Sequence, residues 1–324
     1  MRATLNAHLA IGIALPLLVL FAWAAGAAGQ SAASQQDQPT YTLKLPVDEV
    51  SLTFQALDDE GRTVDDLKIS DLRLFDGGAP VRRIVELDSV KDAPVRVGIL
   101  LDSSESMESS RERSQSVAID IVRSLVRQPP DRGFAMDFAG LSPVAQEWTN
   151  DVRTLEVAIR NHRVASHAEA SLRGTALFDA LYRACLNEFG HSEGPLSRNV
   201  IVLFSDGVDN ASRGDMKLAI DECQKTNAAV YAFRFDAPEA MSTGPATLAE
   251  VAAKTGGRVF HGEDGDTQIA DDVRIVETDL RSQYRLIFKP PEVKHDGTFH
   301  QVELDAPSRP VTIRKQTGYY APVR

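Results

Sequence analysis

The sequence predicts an α/β fold in which a doubly wound, mostly parallel sheet carries helices on both of its faces. Between about residues 93 and 281, segments with the periodicity of strands alternate with segments with the periodicity of helices. The segments at 95–101 and 200–204 are almost entirely apolar, which is typical of strands that helices cover on both sides. Short alternating segments before and after this region predict further strands outside the main sheet.

The main domain, predicted over residues 93–281, has a regular order of elements. The expected strands are 95–101, 133–138, 144–148 at a sheet edge, 200–204, 229–235 and 258–261. The expected helices are 112–127, 152–161, 176–189, 215–226, 246–255 and 267–280. In such folds the crossovers are right-handed and ligands bind beyond the carboxyl-terminal ends of the strands. A functional site is therefore expected in the segments that follow these strands.

Two regions of predicted β-structure, residues 41–92 and residues 282–324, flank the main domain. The alternating segments that predict their strands are 41–45, 50–54, 72–75, 284–288, 301–304 and 311–313. Each region alone has too few strands to be stable. We therefore expect the two regions to pair into one small β-sandwich-like module.

The first 29 residues have the composition of an export signal. Arg2 precedes an apolar run from residue 9 to residue 25, and small residues fill positions 24–29. An uncleaved membrane anchor is the alternative, because the run has about 17 residues, which is short for a span but long for a signal. A polar linker, residues 30–40, follows. In both cases we expect the folded part to be periplasmic, secreted or at the cell surface, with membrane contact only if the signal stays uncleaved.

Composition and charge exclude several classes of protein. Hydrophobic residues make up 43% of the 324-residue chain and charged residues 25%, which argues against collagen, extended disorder and a polytopic membrane protein. The 46 acidic residues against 35 basic ones give a net charge of -11, which disfavours nucleic acid as a partner.

The chain has only two cysteines, Cys185 and Cys223, and both lie in predicted helices. Two cysteines are too few for a disulfide scaffold or for a four-ligand zinc site. Buried free thiols are the commoner state of isolated cysteines on helices, so we expect free thiols here. One disulfide bond between the two is the alternative in an oxidising compartment.

Oxygen-bearing side chains occupy the expected positions of a site. Asp102, Ser104 and Ser106 follow the first apolar strand, Asp206 follows the central one, and Thr175 opens the helix between them. Alternate residues of an extended segment point the same way, so the side chains of Asp102, Ser104 and Ser106 can converge. Ligands that are all oxygen suit a hard cation, Mg²⁺ first and Mn²⁺ or Ca²⁺ as competitors.

These residues resemble a known motif. Asp102-x-Ser104-x-Ser106, the later Thr175 and the turn that carries Asp206 are similar to the metal-ion-dependent adhesion site (MIDAS) of von Willebrand factor type A (VWA) domains, which also occur as integrin I domains. All five positions hold the family's residue types in the family's order. The resemblance covers about residues 95–280, and it implies a Rossmann-like VWA fold with a complete MIDAS.

The flanking regions resemble a narrower group, the bacterial secreted proteins with a VWFA-related domain. The similar segments are short and rich in turns, and they are residues 58–64, 72–78 and 318–320. This second resemblance agrees with the export signal that the amino terminus predicts.

The resemblance to VWA domains implies roles for the five residues. Ser104 and Ser106 would bind the metal directly, Thr175 would bind it in the high-affinity state, and Asp102 and Asp206 would bind directly or through water. In integrin-like relatives the last helix moves with the metal site. The resemblance therefore implies coupling through the helix at 267–280, which leads almost directly into the β module.

The function expected from the site is metal-dependent protein binding of the adhesion type. An open coordination position on a cation held mainly by neutral hydroxyl groups attracts a carboxylate, so the partner would offer an Asp or Glu side chain. We expect no enzymatic activity, because the sequence has no His-Glu-x-x-His, no Gly-x-Ser-x-Gly and no phosphate-binding glycine loop.

Two other functions stay open at the level of the sequence. One is a scaffold role without metal-dependent binding. The other is a metal-assisted hydrolase, in which Glu105 or Asp209 would have to serve as the general base. Asp209 and Asn210 are otherwise interpreted as turn residues.

Overall fold

The computed structural model describes residues 49–127, 129–163, 174–190, 197–236 and 243–323. The predicted signal, the linker and the expected strand at 41–45 lie outside the described residues. Within these described ranges, no helix combines the length and the apolar character that a membrane crossing requires.

The strands of the described ranges follow the predicted order closely. They are β1 (Val50–Leu57), β2 (Arg73–Asp76), β3 (Ala79–Pro80), β4 (Arg83–Ser89), β5 (Val95–Asp102), β6 (Arg132–Phe138), β7 (Val144–Thr149), β8 (Arg198–Ser205), β9 (Ala228–Arg234), β10 (Val259–His261), β11 (Tyr284–Lys289), β12 (Phe299–Asp305), β13 (Thr312–Lys315) and β14 (Gly318–Tyr320). The sequence did not predict β3, β4 or β14.

The helices also lie where the periodicity predicts them. They are α1 (Arg111–Leu125), α2 (Val152–Arg160), α3 (Leu177–Arg183), α4 (Met216–Lys225), α5 (Gly244–Thr255) and α6 (Asp266–Arg281). The helix expected at 176–189 is only partly an α-helix, because α3 continues as a π-helix over Ala184–Phe189.

The central sheet has the predicted doubly wound architecture. Its strand order is β10-β9-β8-β5-β6-β7, in which only β7 runs antiparallel to its neighbour. Every residue of β5 and of β8 is buried, which explains why these two segments are almost entirely apolar. The predicted position of β7 at a sheet edge is confirmed.

Helices cover both faces of this sheet. Apolar residues of α1, α2 and α6 pack on one face, and those of α3, α4 and α5 pack on the other. The strands therefore lie between two helical layers, and the loops at the carboxyl-terminal ends of β5 and β8 open at one edge of the layered domain.

The flanking regions form two further four-stranded sheets, and each sheet mixes strands from both ends of the chain. Their strand orders are β13-β1-β11-β4 and β14-β12-β2-β3. β1 pairs antiparallel with β11 on one edge and with β13 on the other. One apolar cluster, with Leu52, Phe54, Leu286, Phe288 and Val302 among its members, lies between the sheets. The two regions thus build one β module around a shared core.

A buried carboxylate connects α6 to this β module. Asp279 of α6 is 2% exposed. Its Oδ2 atom forms ion pairs with Nε of Arg258, 2.8 Å away, and with Nη1 of Arg314 in β13, 3.0 Å away. Gln55 of β1 donates to the backbone carbonyl of Asp279. The end of α6 is therefore held by charged and polar side chains of both parts of the molecule.

The expectation of free thiols was wrong. Cys185, in the π-helix after α3, and Cys223, in α4, form a disulfide bond. Both cysteines are buried in the apolar cluster that α3 and α4 share with the sheet. The sequence could not decide between free thiols and the alternative of a bond, because the contact depends on how two helices pack side by side.

Candidate metal centre

The candidate site lies where β5 and β8 end side by side. The two strands are parallel neighbours, and Leu101 pairs with Phe204 at the last matched position. The chain therefore brings Asp102, at the end of β5, next to Ser205 at the end of β8. This places the two segments that the sequence singled out at the same edge of the sheet.

Asp102, Ser104 and Ser106 lie close together, although Ser106 is in a 3₁₀ turn and not in an extended segment. The backbone amide of Ser104 donates to Oδ1 of Asp102 over 2.9 Å, and the hydroxyl oxygens of Ser104 and Ser106 are 3.1 Å apart. Ser104 precedes a short 3₁₀ turn, Glu105–Met107, without capping it through its side chain. The two hydroxyl groups thus face each other beside the carboxylate, and Glu105 is exposed.

Ser205 joins the two strand ends. Its hydroxyl group donates to Oδ2 of Asp102 over 2.6 Å and accepts from the backbone amide of Gly207 over 3.0 Å. Burial, and to a smaller extent the nearby charge of Asp206, raises the pKa of the Asp102 carboxyl to about 6, although hydrogen bonds from Ser104 and Ser205 oppose the rise. Burial therefore disfavours the charged form of the Asp102 carboxyl group.

Asp206 provides a buried oxygen without a protein partner. Its Oδ1 accepts from the backbone amide of Val208 over 2.9 Å, but its Oδ2 is buried and has no hydrogen-bond partner in the described part of the chain. Asp206 itself is 2% exposed. A buried carboxylate oxygen without a partner is costly, so this atom is a strong candidate to bind a cation.

A tight turn and a close helix fix the position of Asp206. Gly207 has a φ of 80°, and a Cβ atom there would lie 2.4 Å from the carbonyl oxygen of Gly244 at the start of α5. Only glycine is compatible with both the backbone conformation and this approach. The turn that carries Asp206 is thus packed directly against α5.

Thr175 lies just before α3 and contacts the turn that follows Asp206. It is 3% exposed, and its backbone amide donates to Oδ1 of Asn210 over 2.7 Å. The backbone amide of Asn210 donates in return to the carbonyl oxygen of Thr175 over 3.0 Å. No hydrogen bond joins the Thr175 hydroxyl to the other four predicted ligands within the described residues. Thr175 is therefore tied to the Asp206 turn through its backbone.

Two residues that matter to this geometry were not singled out as functional from the sequence. Ser205 orients Asp102, and Asn210, interpreted as a turn residue, holds the backbone of Thr175. Their proximity in sequence to Asp206 was the only available signal. Asp209 also does more than form a turn, because its carboxylate accepts from the amide of Phe178 and from the hydroxyl of Ser212.

The donor set fits a hard divalent cation. Two carboxylates, Asp102 and Asp206, are buried and near enough to repel each other, and the hydroxyl groups of Ser104 and Ser106 lie beside Asp102. No basic side chain pairs with either carboxylate in the part of the chain that the structure describes. A cation would compensate the buried negative charge and give Oδ2 of Asp206 a partner. Oxygen donors of this kind are those that Mg²⁺, Mn²⁺ and Ca²⁺ prefer.

The fold and the match to a family model identify the class of domain. Residues 97–272, over half of the chain, match the model of the von Willebrand factor type A domain. The chain therefore belongs to the VWA domain family. No protein among those with curated functions matches the chain.

Several solved structures have a similar fold at low identity. The chain is 16% identical to the conserved hypothetical protein BatB from Bacteroides thetaiotaomicron, with a TM-score of 0.47 over 58% of this chain and 100% of that one. It is 17% identical to an aerotolerance-related membrane protein from Bacteroides fragilis, with a TM-score of 0.45 over 57% and 98%.

A third similar structure is proximal thread matrix protein 1 from the mussel byssus, described with a zinc-occupied MIDAS motif. It is 15% identical, with a TM-score of 0.48 over 63% of this chain and 49% of that one. At these identities and TM-scores, none of the three similarities carries an argument about what this chain binds.

Proposed function

We propose that this protein is an exported binding module that recognises an acidic group of a protein partner through a divalent cation. Asp102, Ser104, Ser106, Thr175 and Asp206 would hold Mg²⁺, with Mn²⁺ or Ca²⁺ as competitors. The observation that carries the proposal is the buried Oδ2 atom of Asp206, which has no hydrogen-bond partner in the described ranges. Burying such an oxygen is costly unless a cation or a donor satisfies it.

The charge balance of the site explains why the partner would be acidic. Three of the five proposed ligands are neutral hydroxyl groups, so the two carboxylates supply the only negative charge of the donor set. A cation bound there would keep an attraction for a further carboxylate, and it would supply the electrostatic contact to an Asp or Glu side chain.

We propose binding rather than catalysis as the function. VWA domains generally act as adhesion or scaffold modules. Of the two side chains that could serve as a general base, the carboxylate of Asp209 already accepts hydrogen bonds from the Phe178 amide and the Ser212 hydroxyl. An enzymatic role would need a base that is free to take a proton near the substrate.

The proposal that the protein is exported rests on two independent observations. The sequence begins with an apolar segment bounded by Arg2 and by small residues, which is typical of a signal peptide. The disulfide bond between Cys185 and Cys223 supports the same compartment, because such bonds persist in the periplasm and outside the cell. We therefore propose a periplasmic, secreted or cell-surface location.

Calorimetric titration of Mg²⁺ and Mn²⁺ into the protein and into Asp206→Asn tests the proposal. The wild-type protein should show saturable binding at one site, and Asp206→Asn should lose at least tenfold in affinity, because the variant keeps the shape but not the charge. Asp215→Asn is the matched control, since Asp215 is not a predicted ligand and its carboxylate caps α4 by accepting from the Leu218 amide. Equal metal affinities of wild-type protein and Asp206→Asn would overturn the proposed site.

The same variants test the partner class. Surface-immobilised protein should capture a carboxylate-bearing partner in Mg²⁺, and should release it when a chelator is added. Asp206→Asn should fail to capture that partner and Asp215→Asn should capture it normally. Capture that is insensitive to both the chelator and Asp206→Asn would favour the scaffold role instead.

A further inference from the structure

The turn that follows Asp206 folds over the backbone of Thr175. Asn210 accepts the amide hydrogen of Thr175 through Oδ1 over 2.7 Å. The backbone amides of Asn210 and Ala211 both donate to the carbonyl oxygen of Thr175, over 3.0 and 3.1 Å. Both polar backbone groups of Thr175 are therefore satisfied by one short segment of the Asp206 turn.

The side chain of Asn210 also lies close to Gly174. Gly174 has a φ of 80°, and a Cβ atom there would lie 2.6 Å from Oδ1 of Asn210. The space next to the Thr175 amide is thus filled by the Asn210 side chain. A residue larger than glycine at position 174 would displace it.

Further hydrogen bonds tie the first turn of α3 to the same segment. The carboxylate of Asp179 accepts from the backbone amides of Arg213 and Gly214 over 3.0 and 2.9 Å. On the far side, the amide of Ala176 donates to the carbonyl oxygen of Ala139 over 2.8 Å. The segment that carries Thr175 and the segment that carries Asp206 are therefore connected at several points.

We propose that Asn210 is a positioning residue that holds Thr175 as a cation ligand, in register with Asp206. This inference rests on the proposed function, because it assigns a role in the same metal site. Asn210 would not contact the cation. It acts through the Thr175 backbone, so that the hydroxyl group of Thr175 and the carboxylate of Asp206 keep their relative positions whether or not the cation is bound.

The chemistry of the asparagine side chain suits this role. Its amide oxygen accepts a hydrogen bond and carries no charge, whereas alanine offers no acceptor. Aspartate keeps an acceptor oxygen at the same place and adds a negative charge near the site. The pair of variants Asn210→Ala and Asn210→Asp therefore separates the loss of the acceptor from other changes at this position.

The experiment compares these variants with Asn199→Ala as a matched control. Asn199 lies at the other end of β8, where its side chain donates to the carbonyl oxygen of Thr226 over 2.7 Å. Mn²⁺ affinity is measured by electron paramagnetic resonance titration, and the midpoint of thermal unfolding is measured in chelator. Removing residues that orient metal ligands commonly lowers affinity about 10- to 100-fold.

We expect Asn210→Ala to bind Mn²⁺ about tenfold more weakly than the wild-type protein, and Asn210→Asp to bind it at least as tightly as the wild-type protein. Asn199→Ala should keep the wild-type affinity although it lowers the unfolding midpoint. Hydrogen exchange of the Thr175 amide in metal-free protein should be faster in Asn210→Ala and close to wild type in Asn210→Asp.

The outcomes separate this inference from the proposed function. If the wild-type protein binds no Mn²⁺, the proposed function is wrong and the role of Asn210 falls with it. If the wild-type protein binds Mn²⁺ and Asn210→Ala binds it equally well, the proposed function stands and the positioning role is overturned. A loss of affinity in Asn199→Ala as large as that in Asn210→Ala would also overturn it, because both would then reflect general destabilisation.

Discussion

The Oγ atom of Ser205 lies 2.6 Å from Oδ2 of Asp102, and this hydrogen bond joins the ends of the two central strands. The Oγ atom of Ser205 also accepts a hydrogen bond from the backbone amide of Gly207, which is next to Asp206. Ser205 is fully buried. One hydroxyl group thus contacts both segments that supply the proposed acidic ligands, although Ser205 itself is not a predicted ligand.

We predict that Ser205→Ala weakens cation binding severalfold and lowers the free energy of unfolding by about 1–3 kcal/mol, because it leaves the Gly207 amide and Oδ2 of Asp102 without their partner. Titration calorimetry and urea unfolding measure the two effects. Thr255→Val is the matched control, since the buried Thr255 hydroxyl of α5 also accepts from one backbone amide, that of Val230, and donates to the backbone carbonyls of Val251 and Ala252. An unchanged affinity in Ser205→Ala would refute the orienting role.

Stability should depend on pH through Asp102. Its pKa is raised to about 6 in the folded protein, above its value in the unfolded chain, so its contribution to stability is present at low pH and is lost as the pH rises through about 6. A bound cation would favour the charged form of Asp102 and would therefore offset this loss of stability at higher pH. The increase in the unfolding midpoint caused by Mg²⁺ should therefore be larger near pH 7.5 than near pH 5.

Thermal unfolding at the two pH values, with and without Mg²⁺, measures this difference. Asp102→Asn serves as the control, because it carries no titratable group at this position and should show no increase with Mg²⁺ at either pH. An Mg²⁺-induced increase that is the same at both pH values would contradict the prediction.

Loss of the disulfide bond should destabilise the protein substantially. Cys185 and Cys223 are separated by 38 residues, and a bond that closes a loop of this size is worth about 4 kcal/mol in the chain-entropy description. The double variant Cys185→Ala/Cys223→Ala should lower the free energy of unfolding by about that amount in urea titrations. The unreduced, denatured wild-type protein should show no free thiol with a thiol reagent, and a positive reaction would contradict the bond.

The buried pairing of Asp279 should matter far more than an exposed ion pair. Asp279→Asn leaves Arg258 and Arg314 without their shared carboxylate, and breaking a buried pair in this way typically costs about 3–5 kcal/mol. Asp305→Asn is the control, because its pair with Arg73 is exposed to solvent and should contribute little to stability. Equal effects of the two variants in urea unfolding would refute a structural role for the Asp279 contact.

The same variant bears on the coupling expected between the metal site and the β module. The structure connects the end of α6 to β1 and β13 through Asp279, so Asp279→Asn loosens that connection. If the two parts are coupled, the variant should also change the Mn²⁺ affinity, although Asp279 is not among the predicted ligands. An unchanged affinity would show that the connection is structural only.

The main elements of the fold were predictable because burial leaves a clear periodic signal. β5 and β8 are buried along their whole length, and the sequence shows this directly as apolar runs. β4 was missed because its alternation is broken. Its pairing with β11 shifts register between Ile287 and Phe288, so Ile84 and Leu87 lie opposite core residues at an irregular spacing.

The proximity of some of the predicted ligands could be inferred from the sequence, but the residues that hold them in place could not. Asp102, Ser104 and Ser106 are close in sequence, so a short segment brings them together, although a 3₁₀ turn and not the predicted extended alternation places Ser106. Asn210 reaches Thr175 across 35 positions, and the contact depends on how the turn after β8 lies on α3. The disulfide bond was missed for the same reason, since helix packing leaves no local pattern in the sequence.

The position of β1 constrains when the protein can finish folding. β1 is among the first strands to be synthesised, yet the two strands that pair with it, β11 and β13, come from the other end of the chain. During translation or translocation, the backbone groups of β1 that pair with β11 and β13 stay unpaired until the whole VWA domain has emerged. A chain that terminates before Tyr284 would leave those edges open to pairing with other chains, so premature termination should yield aggregates rather than a shorter working protein.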